Sequence, residues 1–259
     1  MNIHRLNIIA FGALLIMASA VAFGYLGAWA FVPLALVYVI TVGWGVFDIG
    51  SQFFIRTVWK GPRGKVAFTF DDGPHPIYTA QILRVLEEEG VKGSFFCIGK
   101  HAVQYPELLR EIDAQGHAIG NHTYLHTHRM GMMSVDKVRA EISHGKQVIS
   151  EIIGKKPRMF RPPFGVVNPK IAKAVEAERD VIIGWDLRSR DGVARSEKQI
   201  LARVVPHLKS STLLLFHDTN PHTAGALRKV IHLCRENGTE IVSLQQLTGV
   251  APYLENDND

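Results

Sequence analysis

Five short segments of the 259-residue sequence contain side chains that could hold a metal ion or transfer protons. In chain order they read FDDGP (70–74), NHTYLH (121–126), RPPFG (161–165), WDLRSRD (185–191) and LLLFHD (213–218). Taken one at a time, each is also explained as an ordinary turn, a proline loop or a solvated polar loop. The functional prediction therefore depends on their combination.

Two of the segments contain residue types that bind metal ions. His122 and His126 are four residues apart, a spacing that would put both imidazoles on one face of a helical turn. Asp71 and Asp72 add two adjacent carboxylates at the end of an apolar run. Together the five segments supply one carboxylate and two imidazoles for a metal, and they leave a carboxylate, an imidazole and an arginine for acid–base chemistry.

Short apolar runs alternate with amphipathic segments over the rest of the chain. The apolar runs predict strands at 65–71, 92–97, 117–121, 159–161, 181–187, 212–217 and 240–243. The amphipathic segments predict helices at 78–89, 101–115, 134–153, 168–178, 196–208 and 223–237, and several open with a capping residue: Ser134, Asn168, Ser196 and Thr223. Seven such units predict a parallel sheet covered by helices and favour a barrel over an open sheet.

The five segments all lie at the carboxyl ends of predicted strands. A barrel of parallel strands has its active site at the carboxyl ends of the strands, so these segments would meet at one end of the barrel. Histidines placed at random would not collect there. The predicted architecture and the predicted chemistry therefore support each other.

The N-terminal segment is long and uncharged. Residues 6–47 contain no Lys, Arg, Asp or Glu, and one straight helix of that length would reach ~60 Å, twice the ~30 Å hydrocarbon core of a bilayer. Glycines and a proline between residues 24 and 33 are candidate breaks, so two transmembrane helices are predicted, near 6–25 and 28–47. Ala18-Ser19-Ala20 also resembles a signal-peptide cleavage site, although cleavage there would still leave one span.

Basic residues flank both ends of this segment. By the positive-inside rule they favour a hairpin with both ends and the globular domain on the cytoplasmic side, whereas a single crossing would reverse that orientation. The predicted divisions are a membrane anchor at 1–55, a globular domain at 60–250 and a polar tail at 251–259. The flanking cations are Arg5 before the segment and Arg56, Lys60, Arg63 and Lys65 after it.

Composition excludes several classes of protein. The net charge of +5 belongs to residues 56–259, because Arg5 and Asp48 are the only charges before them, and 47% hydrophobic residues exclude a disordered chain. Two cysteines without CxxC spacing form neither a disulfide framework nor a zinc ribbon. No GxGxxG or GxSxG motif occurs, so dinucleotide binding and a serine nucleophile elbow are not supported. No basic stripe is interleaved with aromatic residues, so nucleic-acid binding is not expected. The basic charge suits an anionic lipid or a phosphate-bearing substrate.

The five ordered segments resemble the motifs of the NodB-homology polysaccharide deacetylases, carbohydrate esterase family 4. The similarity extends from about residue 65 to about residue 247. It implies an α/β fold, a distorted (β/α)7–8 barrel, here preceded by the transmembrane helical segment. It also implies metal-dependent hydrolysis of an acyl group from a sugar.

The resemblance assigns roles to individual residues of this sequence. Asp72, His122 and His126 would hold a divalent metal, expected to be Zn²⁺, with Co²⁺, Ni²⁺ or Mn²⁺ as alternatives. Asp71 would be the general base, with Arg161 as its positioner, and His217 would be the general acid, oriented by Asp191. Two further residues would contact the substrate, Phe164 through its backbone N–H at the oxyanion and Leu215 at the acyl methyl. Gly192 stands where the family often has tryptophan, so that a groove wall is either missing or supplied elsewhere, for instance by Trp185.

The function implied is removal of an N-acyl group, here acetyl, from an amino sugar in a polysaccharide, oligosaccharide or lipid-linked saccharide. The expected partners are an N-acylated carbohydrate or glycolipid substrate and membrane lipid, at a bacterial-type cell membrane with one or two crossings. Two alternatives stay open. One is a deformylase of a lipid-linked amino sugar, and the other is a carbohydrate- or lipid-binding module without turnover.

Overall fold

The chain folds into an N-terminal hairpin of two apolar helices and a parallel sheet that curls into an incomplete barrel covered by helices. This computed structural model describes residues 2–254. The predicted fold class, an α/β distorted barrel preceded by an apolar helical segment, is confirmed. Residues 255–259 of the predicted polar tail lie outside the described residues.

Ten α-helices, six short 3-10 helices and nine strands occur in the described part of the chain, residues 2–254. The helices are α1 Ile3–Ala22, α2 Phe31–Phe47, α3 Tyr78–Glu88, α4 Gly99–Gln104, α5 Pro106–Ala114, α6 Val135–Ile153, α7 Pro169–Ala177, α8 Glu197–Val204, α9 Thr223–Glu236 and α10 Leu244–Thr248. The strands are β1 Thr57–Val58, β2 Lys65–Asp71, β3 Ser94–Cys97, β4 Ala118–Asn121, β5 Met159–Phe160, β6 Val181–Ile183, β7 Leu187–Arg188, β8 Leu213–His217 and β9 Glu240–Ile241.

The strands form one sheet in the order β1-β6-β5-β4-β3-β2-β8-β7, with β9 beside β2. Every pairing between these strands is parallel, so their carboxyl ends lie at one end of the sheet. The central strand β2 is buried along nearly its whole length because helices cover the sheet. β1 and β7 are the two edges, and the barrel is therefore open at a seam between them.

Two predicted elements are interrupted in the structure. The helix predicted at 101–115 is split between α4 and α5, because Pro106 has no N–H to donate and begins a new helix. The strand predicted at 181–187 is split between β6 and β7, because the Asp186 carboxylate turns away to accept the backbone N–H groups of Thr212 and Leu213. Strand β1 and helix α10 were not predicted.

Three of the four predicted helix caps are confirmed. The side chains of Ser134, Asn168 and Ser196 accept backbone N–H groups from the first turns of their helices. The prediction for Thr223 is wrong, since α9 has no side-chain cap and the Thr223 hydroxyl donates to Asp191 at 2.7 Å instead. A residue predicted to start a helix is thus bonded to a carboxylate of the candidate site.

The N-terminal hairpin has an apolar outer surface. Ile16 is 73% exposed and Ile40 is 69% exposed, and most other large side chains of α1 and α2 are exposed as well. Each of the segments Ile3–Ala22 and Ala28–Phe47 is long and apolar enough to cross a bilayer, with a length of ~30 Å that matches the hydrocarbon core.

The base of the hairpin is fixed to the globular domain. The N–H of Ile3 donates to the Phe53 carbonyl, and the N–H of Val167 donates to the carbonyl of Val46 in the last turn of α2, both at 3.0 Å. Ile49 is buried in a cluster that includes Phe160 of β5. The predicted division between membrane anchor and globular domain, at residues 55–60, stays a prediction. The residues just before it pack on the sheet.

Candidate active site

The carboxyl ends of the parallel strands collect most of the predicted site residues. Asp71 is the last residue of β2, and His217 is the last residue of β8. His122 follows β4, and Arg161 follows β5. Asp191 follows the edge strand β7 and reaches His217. Parallel register thus brings together residues that are far apart in the sequence.

Asp72, His122 and His126 form a cluster of three potential metal ligands. Their ligand atoms all lie within 4.8 Å of one another. The Oδ1 atom of Asp72 lies 3.4 Å from His122 Nε2 and 3.3 Å from His126 Nε2. This oxygen is buried and has no hydrogen-bond partner among residues 2–254. One carboxylate, two imidazoles and an unsatisfied buried oxygen fit a divalent cation with coordination positions left open.

The two histidines converge from an irregular loop, and the predicted helical turn is wrong. Thr123 and His126 have φ angles of 68° and 53°, in the left-handed region. Side chains in the loop replace the helical hydrogen bonds, because Asn121 Oδ1 accepts the N–H of Thr123 and Thr123 Oγ1 accepts the N–H of His126. The four-residue spacing brings the imidazoles together all the same.

Hydrogen bonding orients the His122 ring. Its Nδ1 lies 2.7 Å from the Arg161 carbonyl, which can only accept, so Nδ1 carries the proton and Nε2 faces the cluster. Burial opposes charge on this ring, but Asp71 and Asp72 raise the pKa of His122. Burial and the neighbouring His122 lower the pKa of His126 to about 4, which keeps it in the neutral form that binds metals.

Arg161 is a fully buried cation that holds Asp71. Its Nη1 donates to Asp71 Oδ1 at 2.6 Å and to the hydroxyl of Thr69 at 2.9 Å. Its other nitrogens donate to the carbonyls of Ile183 and Gly184 at 3.0 and 2.8 Å. The second Asp71 oxygen lies 3.9 Å from His122 Nε2 and so faces the metal cluster. One oxygen of Asp71 is therefore anchored, and the other is free to face the metal cluster.

His217 is paired with a buried carboxylate on the other side of the cluster. His217 Nδ1 lies 2.7 Å from Asp191 Oδ1. Burial lowers the pKa of this histidine, but the hydrogen bond and charge of Asp191 outweigh burial and raise it to about 9. Burial likewise opposes the charge of Asp191, and His217 holds the pKa of Asp191 below its ordinary value. His217 is therefore protonated at neutral pH.

The three predicted substrate contacts have different surroundings. Phe164 has a φ of 60° and a half-exposed ring, whose centroid lies 4.9 Å from that of His126. Trp185 packs under the same loop, where a Cβ on Gly165 would lie 2.5 Å from the indole. Leu215 is only 1% exposed in β8. Gly192 lies against the His217 ring, and a Cβ there would lie 3.5 Å from Nδ1.

Several residues near the site were not assigned a role from the sequence. Asp218 is fully buried, and its Oδ2 accepts the hydroxyl of Thr79 at 2.5 Å. Burial, and then the charge of Asp72, raises the pKa of Asp218 to about 7. A Cβ on Gly73 would overlap this carboxyl group, which explains the glycine of the FDDGP segment. Asp218 is the last residue of the LLLFHD segment, and this position is the sequence feature that could have identified it as part of the site.

Two hydroxyl groups also support Asp191. Ser189 Oγ donates to Asp191 Oδ1 at 2.6 Å, and Thr223 Oγ1 donates to Oδ2 at 2.7 Å. Ser189 lies within the WDLRSRD segment, so its sequence position was informative. Thr223 comes from α9, and no local pattern predicts that it reaches Asp191.

Comparison with known proteins shows the family of the chain. The family model for polysaccharide deacetylase matches residues 60–178. A peptidoglycan-N-acetylglucosamine deacetylase of Bacillus cereus is 32% identical over 196 residues, which cover 73% of this chain and 91% of that protein.

Solved structures of this family have a similar fold. A peptidoglycan N-acetylglucosamine deacetylase in complex with 4-naphthalen-1-yl-N-oxidanyl-benzamide has a TM-score of 0.72 at 27% identity, covering 76% of this chain and 95% of that one. A family 4 acetyl xylan esterase from Clostridium thermocellum in complex with a cobalt ion has a TM-score of 0.64 at 32% identity, covering 70% of this chain and 89% of that one. The chain belongs to the polysaccharide deacetylase family, with NodB homology and the fold of carbohydrate esterase family 4, and is a hydrolase of the polysaccharide deacetylase class.

Proposed function

We propose that this protein is a membrane-tethered, metal-dependent deacetylase that removes the N-acetyl group from an amino sugar. The observation that carries the proposal is the convergence of Asp72, His122 and His126 within 4.8 Å, between a held carboxylate at Asp71 and a protonated imidazole at His217. Hydrolysis of an amide needs a proton acceptor for the attacking water and a proton donor for the leaving nitrogen.

In the proposed reaction, Asp71 accepts a proton from the water that attacks the acetyl carbonyl. The Arg161 guanidinium fixes the orientation of Asp71 through the bond at 2.6 Å. As the C–N bond breaks, His217 gives its proton to the leaving sugar nitrogen, so that acetate and the free amine result. The backbone N–H of Phe164 is proposed to donate to the carbonyl oxygen as negative charge develops on it.

The metal ligands proposed are Asp72, His122 and His126, and the expected ion is Zn²⁺, with Co²⁺, Ni²⁺ or Mn²⁺ as alternatives. An ion held there would act as a Lewis acid that polarises the amide carbonyl and lowers the pKa of water toward ~7. The structure supports this choice of ligands through the buried, unpartnered Oδ1 of Asp72 and the orientation of His122 by the Arg161 carbonyl.

Acetate release from an N-acetylated oligosaccharide tests the proposal. The metal-loaded protein should release acetate, a chelator should abolish the release, and added Zn²⁺ or Co²⁺ should restore it. The His217→Ala variant should lose the activity while it keeps its metal. A protein that binds the oligosaccharide and metal but releases no acetate would contradict the catalytic proposal.

The tether is proposed to be the α1–α2 hairpin, with the globular domain on the cytoplasmic side. Residues 23–30 between the helices contain no charged side chain, whereas Arg5 and Arg56 flank the hairpin at its other end. In that orientation the substrate is a lipid-linked saccharide, since the peptidoglycan wall lies on the other side of the membrane. A reporter that works only in the cytoplasm should be active when it is fused to the C-terminus. Activity of a fused reporter that works only after export would contradict this orientation.

A further inference from the structure

Two neighbouring cavities lie where the hairpin meets the globular domain. The first, called here the hairpin-base cavity, has a volume of about 520 Å³ and is lined by Arg5, Arg56, Trp59 and Lys60, together with residues 50–52. The second, the seam cavity, has a volume of about 500 Å³ and shares Trp59 and Lys60 with the first. It lies at the open seam of the barrel, and its lining also includes the cations Arg63 and Arg203 and the imidazole of His207.

The walls of the two cavities carry a large excess of positive charge. Their lining includes five guanidinium or ammonium groups and a single carboxylate, that of Asp186. The Asp186 oxygens already accept three hydrogen bonds at 2.8–3.1 Å from Thr212 and Leu213. The nearby Asp48 carboxylate accepts the N–H of Gly50 at 2.9 Å. Within residues 2–254, none of the five cations forms an ion pair, so they attract an external anion.

The hairpin-base cavity lies at the level where a membrane would have its phosphate groups. Arg5 is in the first turn of α1, and residues 50–52 begin three positions after the last residue of α2. Trp59 and Lys60 contact each other, with the ammonium 4.4 Å from the ring centroid. Tryptophan beside a cation at the end of an apolar span is typical of the bilayer interface. Tyr25 and Trp29 are exposed at the opposite end of the hairpin.

We propose that the hairpin-base cavity binds the phosphate of an anionic phospholipid headgroup, and that the seam cavity extends this site. The cations of the cavity would bind the negatively charged phosphate, and the adjoining exposed apolar surface of α1 and α2 would contact the acyl chains. A soluble phosphate would not use that apolar surface. The proposal rests on insertion of the hairpin into the bilayer, and it is independent of the catalytic residues.

The test uses the full-length protein in lipid nanodiscs and compares phosphatidylglycerol with phosphatidylcholine. Thermal unfolding and the lipid retained after detergent extraction, measured by native mass spectrometry, are the two readouts. The variant Arg5→Gln/Arg56→Gln/Lys60→Gln removes three cations from the cavity. A matched control, Arg84→Gln/Lys137→Gln/Lys198→Gln, removes three exposed cations from α3, α6 and α8. Free glycerol phosphate in phosphatidylcholine nanodiscs tests a soluble ligand.

Phosphatidylglycerol should raise the melting temperature of the wild type and be retained in preference to phosphatidylcholine. The cavity variant should lose both effects, with about a fivefold weaker affinity for each cation removed, and the control variant should keep them. Equal responses of the two variants would overturn the proposal, as would a protein that stays soluble without detergent. Stabilisation by free glycerol phosphate alone would replace the lipid with a soluble phosphate ligand. Acetate release is not measured, so the outcome does not depend on the proposed activity.

Discussion

Asp191 holds His217 through two contacts, because one carboxylate oxygen lies 2.7 Å from the imidazole Nδ1 and the other accepts the backbone N–H of His217 at 2.7 Å. The ring and the backbone of the predicted acid are thus fixed by one buried side chain. This relationship also sets the charge of the ring, since it outweighs burial and raises the pKa of His217 to about 9.

The first prediction concerns the pH dependence of Asp191→Asn. An acid catalyst works only while it is protonated, so activity should fall as the pH rises through the pKa of His217, about 9 in the wild type. Without the carboxylate charge the pKa should return toward its ordinary value of ~6.5. We expect the alkaline limb of kcat/KM to move down accordingly, with about 100-fold less activity at pH 8.5.

Ser189→Ala is the control for that experiment. It removes the hydroxyl bonded to Asp191 at 2.6 Å but keeps both charges, so the alkaline limb should move little.

The stability of the wild type should change in the same pH range. Because the folded-state pKa of His217 is raised, its stabilising effect is complete below pH ~6.5 and is lost as the pH rises through about 9. An unchanged pH profile in Asp191→Asn would contradict the proposed role of this pair.

The second prediction separates proton donation from metal binding. His217→Ala should lower kcat by about 10²- to 10⁴-fold, the usual range for loss of a general acid. Its metal content should remain that of the wild type, because His217 is not one of the three clustered ligands. Steady-state kinetics and elemental analysis of the purified protein check both points. Loss of the metal along with the activity would show that the assignment of His217 is wrong.

The third prediction compares two neighbouring histidines. His126→Ala removes a member of the ligand cluster, whereas His128→Ala removes a ring that stacks on Phe164 at 4.6 Å outside the cluster. Loss of a hydrogen-bond partner of a ligand lowers metal affinity by roughly 10- to 100-fold, so loss of a ligand itself should have a larger effect. Calorimetric titration with Zn²⁺ should show this loss in His126→Ala and near wild-type affinity in His128→Ala. Similar affinities in both variants would exclude His126 as a ligand.

The fourth prediction concerns the stability of the buried guanidinium. Arg161→Lys keeps the charge but cannot serve Asp71, Thr69 and two carbonyl groups at once. Each buried acceptor that is left without its donor typically lowers the free energy of unfolding by about 1–3 kcal/mol, and Arg161→Lys should show a loss of that size or larger. Arg188→Lys, at an exposed position, should change it by less than about 0.5 kcal/mol. Denaturant unfolding of both variants checks the difference, and equal stabilities would mean that the Arg161 contacts contribute little.

The fifth prediction concerns the boundary between anchor and domain. Ile49 is 5% exposed, and β1 extends the sheet next to β6. A fragment that begins at residue 60 lacks both, and loss of one buried aliphatic side chain alone lowers stability by about 2–5 kcal/mol. A fragment that begins at residue 49 should therefore unfold at a higher temperature than one that begins at residue 60. Equal melting temperatures would support the division predicted from the sequence.

Much of the fold was predictable because the sheet consists of short buried strands with clear apolar patterns. β2 was predicted with its observed bounds, Lys65–Asp71, and β8 nearly so. β1 could not be found, since a strand of two residues has no periodicity and is defined by its partner β6. The break at Asp186 was equally hidden, because it depends on backbone N–H groups that are distant in the sequence.

The candidate site shows the same division between local and distant information. The residues at the ends of β2 and β4 could be predicted to meet, since parallel strands have their carboxyl ends on one side. The contacts of Thr223 with Asp191 and of Thr79 with Asp218 could not, because they join helices to loops through tertiary packing. A capping preference was the only local signal at Thr223, and it indicated a different role.

The backbone hydrogen bond between Val46 and Val167 limits how far the catalytic centre can move from the hairpin. Val167 lies three positions after Phe164, whose ring contacts His126, so the distance along the chain is at most ~10 Å. With the hairpin in a bilayer and the proposed lipid-linked saccharide as substrate, enzyme and substrate would meet by diffusion in two dimensions. Turnover would then follow the number of substrate molecules per unit of membrane area, and diluting the vesicles in buffer would leave the rate per enzyme unchanged.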